Sequence, residues 1–424
     1  MFDSTTSRLN RSHYDPVGPC ERTHTHLSPK PATGTRLPLP LDGIVIADLS
    51  RVLAGPYATM MLADMGATVI KVESPAGDDT RSWIPPVRPD GVSTYYSAIN
   101  RNKKSITLDF KNAEDLAVAH ALAARADIVI ENFKPAGLQR FELDYESVRE
   151  RNETVIYCSI SGFGTTEGAS LPGYDLIVQA MSGLMSLTGD ADGPAYRAGI
   201  SVFDVMAGLH STIGILAALR YRSMTGKGQH VETSLLASAM SGLVNQTSAY
   251  VAGGVTPTRM GNAHPSLFPY EPLPTADNDL IITAGNDGQF RKLLEVLGIP
   301  ALADDPRFAR NADRTERREE LRPLLVERLK TQSAEHWFAK LNEVGVPNGP
   351  INTIAQGVQY AEKLGLAPIV QVGQAGQTVP GVRNPISFSA TELRYDLAPP
   401  ALGQDNDEIR SWLAASSVAT NGEK

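Results

Sequence analysis

The sequence predicts an α/β protein: a large domain built on a doubly wound parallel sheet, followed by a smaller α+β domain. Two observations carry this. From about residue 41 onward, short apolar runs of strand length alternate with helical stretches, which is the pattern of βαβ units. After "TGKGQ" the texture changes to long helices and a Pro- and Gly-rich irregular stretch, "GGVTPTRMGNAHPSLFPYEPLPTADND". At 424 residues the chain is also too long for one ordinary domain.

The elements follow in order. "GIVIADLS" is a buried strand, and "GPYATMMLADMG" a helix with Pro56 at its start and Gly66 just past its end. "ATVIKVE", "KSITLDF", "ADIVIENF" and "TVIYCSIS" are further strands, separated by helical segments such as "AEDLAVAHALAARA" and "DYESVRERN". A long helical run spans about Thr233 to Ala252. The strand "LIITAG" and the helices "DGQFRKLLEVLG" and "ERREELRPLLVERLKT" complete the smaller domain. Beyond Gly345 the chain reads as extended linker ending in a short helix. The expected division is a tail over 1–39, a large domain over 40–224, a small domain over 225–332, and a linker with C-terminal return over 333–424. The first forty residues, rich in Ser, Thr, Pro, Arg and His, lack any apolar period and read as disordered. Their arginines fit a mitochondrial leader, their acids do not, and the pair His24 and His26 is a weak metal candidate.

Composition excludes several classes. A net charge of -8 disfavours nucleic acid or an anionic membrane as the main partner. No apolar run reaches the ~18 residues of a bilayer span, since His210, Ser211 and Thr212 interrupt the stretch from Val205 to Leu219. Two cysteines, Cys20 and Cys158, exclude a disulfide framework and a Cys-rich zinc site, and fit a reducing compartment. The cytoplasm is the expected location, with the mitochondrial matrix as the alternative. The first strand leads into "SRVLAGPYATMM", which has one glycine where a dinucleotide fold needs G-x-G-x-x-G. "TGKGQ" lacks the rest of a phosphate-binding loop, and neither H-E-x-x-H nor G-x-S-x-G occurs.

One carboxylate stands apart. In "GISVFDVMAGLHSTIGILAALRYR", Asp204 is followed by no charged residue until Arg220. Taken alone, it is either the cap of an apolar helix or a group that does chemistry beside one.

The remaining motifs decide how to weigh that choice. "LDGIVIADLSRVLAGPYATMMLADMGATVIKVESPAGDDTR", "NRNKKSITLDF", "ADIVIENFKPAGLQRF", "SISGFG", "GYDLIVQAMSGLMSLTG", "FDVMAG" and "TGKGQ" occur in that order. Together they resemble the class III CoA-transferases, the family of formyl-CoA transferase and α-methylacyl-CoA racemase. The likeness runs from about Pro40 to Leu413. "LSRVLAGPYATM", "DDTR", "NRNKKSI" and "GVPNGPIN" are the features of its succinyl-CoA-dependent dicarboxylate transferases.

The resemblance implies a homodimer whose two chains thread through each other as interlocked rings. It also implies transfer of CoA from one carboxylic acid to another, with the CoA thioester as substrate and no permanently bound cofactor or metal. The family's nucleophilic aspartate falls on Asp204. Its second acid falls on Asp175, where formyl-CoA transferase has Glu. Tyr174 replaces the histidine base of the racemases, which disfavours proton exchange. The family's CoA-binding positions fall on Leu108, Lys111, Asn132, Phe133 and Arg140, and an active-site backbone position falls on Ala54. Leu53 replaces a glutamine of formyl-CoA transferase, and "MGNAHPS" replaces its glycine run, so formate and oxalate are disfavoured. A dicarboxylate acceptor brings a second negative charge that needs a partner. Arg51 and His264 are the candidates for it.

Overall fold

The computed structural model describes residues 37–419, so His24, His26 and Cys20 lie outside it. Its centre is a six-stranded, all-parallel sheet in the order β3-β2-β1-β4-β5-β6. The strands are β1 (Val45–Asp48), β2 (Thr68–Glu73), β3 (Lys103–Thr107), β4 (Ile128–Glu131), β5 (Ile156–Ser161) and β6 (Gln229–Ser234). Strands β1 to β5 match the five apolar runs of the sequence. The sixth, "QHVETS", alternates with polar residues because it lies at the sheet edge, so no apolar run announces it. It carries the large sheet beyond residue 224, into the stretch expected to begin the small domain.

Helices cover both faces. On one side α1 (Ala54–Asp64) and the long α7 (Val202–Thr225) pack on Ile46, Ile128, Ile130, Ile156 and Ile160. On the other, α3 (Ala113–Arg125), α4 (Tyr145–Arg151) and the C-terminal α15 (Asn406–Ala419) pack on Ala47, Ile70, Val129 and Tyr157. Strands β1, β2, β4 and β5 therefore present alternate residues to two apolar cores. Shorter helices α2 (Thr94–Ile99), α5 (Asp175–Met181) and α6 (Leu184–Leu187) lie in the crossovers.

α7 corrects one expectation. Its best 18-residue window has a mean hydropathy of 1.7, enough by length and composition for a bilayer span, because His, Ser and Thr lower the average too little. In the fold, its Ala207, Gly208, Ser211 and Ile215 are buried against α1 and the sheet.

The helical run after the sheet divides at Leu243 into α8 (Leu235–Gly242) and α9 (Val244–Val251). The third core begins at Phe268 and extends to Val346. It is built on the antiparallel strands β7 (Tyr270–Pro274), β8 (Asp279–Thr283) and β9 (Asn348–Pro350), with α10 (Asp287–Val296), α11 (Asn311–Glu316), α12 (Arg318–Leu329) and α13 (Ala334–Glu343). After α14 (Ile354–Lys363) and the hairpin of β10 (Ile369–Val372) and β11 (Val379–Val382), the chain returns to the large sheet. Asn384 donates to Asp64 (3.0 Å), and the Arg394 amide donates to the Asp64 carbonyl (2.8 Å).

Candidate active site

Strand order reverses between β1 and β4, the switch point where an open α/β sheet forms its ligand crevice at the carboxyl ends of the strands. Two loops meet there. The Arg51 amide donates to Asn132 Oδ1 (2.9 Å), and Asn132 Nδ2 donates back to the Arg51 carbonyl (2.7 Å). Asn132 thus ties the β1–α1 turn to the β4 loop, while Phe133, whose amide donates to Glu131 (2.8 Å), begins the outer wall. Beyond it a cavity of about 440 Å³ is lined by Phe133, Lys134, Leu138, Tyr145, Tyr157 and His230. At its floor Ser159 bonds His230 Nε2 (2.9 Å), and Tyr145 stacks on the same imidazole at 4.6 Å. Leu108 is buried directly after β3, Lys111 is exposed in the loop between β3 and α3, and the exposed Arg140 lies 4.5 Å over the Phe141 ring.

Asp204 is the third residue of α7, not its cap. The cap is supplied from elsewhere. Asp175, the buried first residue of α5, accepts the amides of Phe203 (2.8 Å) and Asp204 (3.2 Å) on Oδ1. Its Oδ2 accepts from the enclosed Gln179, which also donates to the Ile200 carbonyl (3.1 Å) and accepts the Ala198 amide (2.8 Å). Asp175 therefore caps the helix of Asp204, and the Asp204 carboxylate does no capping. Burial first, and then the like charge of Asp175, push the Asp204 carboxyl up to about 7. These outweigh the stabilisation that a helix N-terminus gives a carboxylate.

Tyr95 was not legible in the sequence. Burial raises its phenol, a hydrogen bond with Ser201, the residue before α7, lowers it, and the charges of Asp204, Asp175 and Asp78 raise it. Trp83 meets Tyr95 edge to face at 5.1 Å, and both line an apolar cavity of about 540 Å³ with Ile84, Pro85, Pro86 and Ala98. The signal was "SWIPPV" and "TYYS", aromatics in a stretch with no period.

Ala54 opens α1 against α7, so close that a Cβ on Gly208 would stand 2.6 Å from the Ala54 carbonyl oxygen. Gly208 is one turn beyond Asp204. Arg51 pairs with Asp79 at 3.2 Å, both half-exposed. His264 is held in the small domain: its Nδ1 accepts the Ser266 amide (3.0 Å), its ring lies 5.0 Å from Tyr270, and its carbonyl accepts from Arg318. The single chain brings Asp204, Asp175, Ala54 and Tyr95 to one place, and Arg51 to Asn132. It leaves His264 with the small domain.

Similarity to known proteins agrees with this geometry. Residues 41–406 match the model of CoA-transferase family III. The chain belongs to CoA-transferase family III. It is 46% identical to a succinate–glutarate CoA-transferase of Agrobacterium fabrum over 88% of this chain and 96% of that one. It is 39% identical to a succinyl-CoA:glutarate CoA-transferase of Mus musculus, over 87% and 85% of the two chains. A crystal structure of a CaiB/BaiF family protein from Brucella suis superposes with a TM-score of 0.80 at 45% identity, covering 89% of this chain and 100% of that one. This chain is thus an enzyme of a family that transfers CoA, and its fold is that of a solved CaiB/BaiF family protein.

Proposed function

We propose that this enzyme transfers CoA from succinyl-CoA to a small dicarboxylic acid through a covalent intermediate on Asp204. The observation that carries the reading is the partly enclosed, uncapping carboxylate of Asp204 beside Asp175, in a family III chain whose relatives include succinate–glutarate transferases.

The steps balance without any external reactant. An Asp204 carboxylate oxygen attacks the thioester carbonyl of the donor, the C–S bond breaks, and CoA leaves as thiolate from a mixed anhydride. The thiolate attacks the Asp204 carbonyl, the C–O bond breaks, and the donor acid departs, leaving an aspartyl-CoA thioester. The acceptor carboxylate then attacks that thioester, and the sequence runs in reverse to acyl-CoA and free Asp204. Thioester energy is kept only while water stays away from the anhydride. The apolar surroundings that raise the Asp204 carboxyl serve this end, and its raised basicity makes the ionised form a stronger nucleophile.

The first-turn amides of α7 cannot serve as oxyanion donors as they stand. Those of Val202 and Val205 bond the carbonyls of Ile200 (2.9 Å) and Ser201 (3.2 Å), and those of Phe203 and Asp204 bond Asp175. The start of α1 at Ala54, packed on α7, is the other helix N-terminus at the site.

CoA would lie across the switch-point crevice, with the exposed Lys111 and Arg140 meeting phosphates, Asn132 and Phe133 forming the wall and Leu108 packed behind it. Arg51 reads the distal carboxylate of the acceptor in preference to His264, since it belongs to the same turn as Ala54. A second copy covers the outward face of α7 to α9, where Ile213, Met240, Val244, Tyr250 and Val251 are exposed. The test is a panel of carboxylic acids, oxalate and monocarboxylates included, assayed with succinyl-CoA. Succinyl-CoA alone should also leave a covalent adduct on the peptide bearing Asp204. Turnover with no adduct in the wild type, and full activity of Asp204→Asn, would remove the mechanism.

A further inference from the structure

The β1–α1 turn holds a conformation that the chemistry above does not explain. Val52 has φ +68°, a left-handed backbone that a β-branched residue adopts only when its surroundings impose it. The surroundings here are buried and charged. Lys71, on β2 and fully enclosed, donates to the Ser50 carbonyl (3.1 Å) and to Asp78 Oδ2 (2.8 Å). Asp78 accepts the Val52 amide on its two oxygens at 3.4 and 3.3 Å, while the Thr80 amide and hydroxyl hold its Oδ1 from the other side. The turn is therefore gripped at the carbonyl of residue 50 and at the amide of residue 52. A second enclosed lysine, Lys103, donates to the Pro56 carbonyl (2.9 Å) and fixes the first turn of α1.

Between these anchors stands Ala54, with its carbonyl against Gly208 of α7. Gly208 follows Asp204 by four residues, so the two share one face of the helix. Val52 and Asp204 are thus joined along the backbone through one contact, that of the Ala54 carbonyl with Gly208.

We propose that Lys71 and Asp78 are positioning residues for the nucleophile: their ion pair holds Val52 left-handed, and the held turn sets, through Ala54 and Gly208, where α7 presents Asp204. The inference rests on Asp204 being the nucleophile. If the pair served only to stabilise the fold, its loss would lower the melting temperature and leave the turnover of folded enzyme unchanged.

The experiment uses the full chain and first confirms that the wild type transfers CoA and forms the Asp204 adduct. Failure at that point falls on the assigned reaction and not on the pair. Asp78→Asn should lower kcat about 100-fold, the effect expected of a displacement near 1 Å at a reacting group. The KM for the CoA thioester should move by less than about threefold, because ground-state binding is kept. Adding Val52→Gly to Asp78→Asn should restore at least about tenfold in kcat, since glycine occupies positive φ without a clamp. Val52→Pro, locked near φ −65°, should reproduce the loss of kcat with both charges still in place, which covers the case of a poorly folding Asp78→Asn. Full turnover of Asp78→Asn, a double variant no faster than Asp78→Asn alone, or a folded Val52→Pro enzyme with wild-type kcat would each overturn the proposal.

Discussion

At the scale of single residues, the nucleophile proposed at Asp204 carries a stability cost. Its carboxyl is pushed up to about 7 by burial and by Asp175, so the folded protein binds its proton more tightly than the unfolded chain does. The consequence has a definite sign: below about pH 4 the residue is protonated in both states and costs nothing, and the cost grows as pH rises towards 7. Asp204→Asn should therefore abolish transfer while raising the melting temperature at pH 8, and the gain should vanish at pH 4. A lower melting temperature at pH 8 would show that the carboxylate is paired and not penalised. In the wild type, kcat/KM for the donor should fall about tenfold per unit below pH 7, as the nucleophile is protonated. Arg51 is the other residue with a clear expectation. Its pair with Asp79 is exposed and weak, so the guanidinium can leave it at little cost. Arg51→Ala should raise KM for dicarboxylate acceptors far more than for monocarboxylates of the same length. An equal rise for both would mean that Arg51 does not read the distal charge.

At the scale of elements, the decisive contact is the crossing of α1 and α7 at Ala54 and Gly208. A methyl group on Gly208 would stand 2.6 Å from a backbone oxygen, which cannot swing away as a flexible side chain can. Gly208→Ala should force the helices apart at a cost of about 1–3 kcal/mol. It should also reduce kcat, because the displaced helix carries Asp204. A variant with a lowered melting temperature but wild-type kcat would separate helix packing from nucleophile placement. The sequence revealed some of this and hid the rest, for physical reasons. Strands β1 to β5 were legible because both faces are buried, and α1 because Pro56 and Gly66 mark its ends. Strand β6 was hidden by its polar edge position, and the break at Leu243 by uniform helical composition. Asp204 stood out because it is a lone charge at the start of an apolar run, and the structure puts it in the first turn of α7. Its cap did not, since Asp175 lies 29 residues away in the chain and meets α7 only in the fold. Tyr95, Gln179 and the Lys71–Asp78 pair were hidden for the same reason: no period or spacing encodes a contact made by tertiary structure.

At the scale of the whole molecule, two exposed features must be managed, the apolar outer face of α7 to α9 and the free edge of the sheet at β3. The first fits a second copy of the chain. Ile213→Lys, at a position 64% exposed, should yield monomers on light scattering, and an unchanged dimer mass would place the interface elsewhere. The second is closed by the chain itself. The outer amides of β3 would be a template for another strand. The returning C-terminal segment takes them one by one: the Asn102 amide bonds the Leu397 carbonyl (2.9 Å), that of Ser105 bonds Asp405 Oδ2 (2.8 Å), and that of Thr107 bonds Asn406 Oδ1 (2.8 Å). Side chains cap an edge without extending it, because neither Asp405 nor Asn406 offers a further ladder of backbone groups outward. Asp405→Ala combined with Asn406→Ala should leave two strand amides unpaired, each costing about 1–3 kcal/mol where water does not replace the partner. The proposed active site is at the carboxyl ends of β1 and β4, away from this edge, so kcat should change little in freshly prepared enzyme. The expected change is in the melting temperature and in concentration-dependent aggregation on mild heating, followed by light scattering. A double variant that melts and scatters as the wild type does would show that the two side chains are not what closes the sheet.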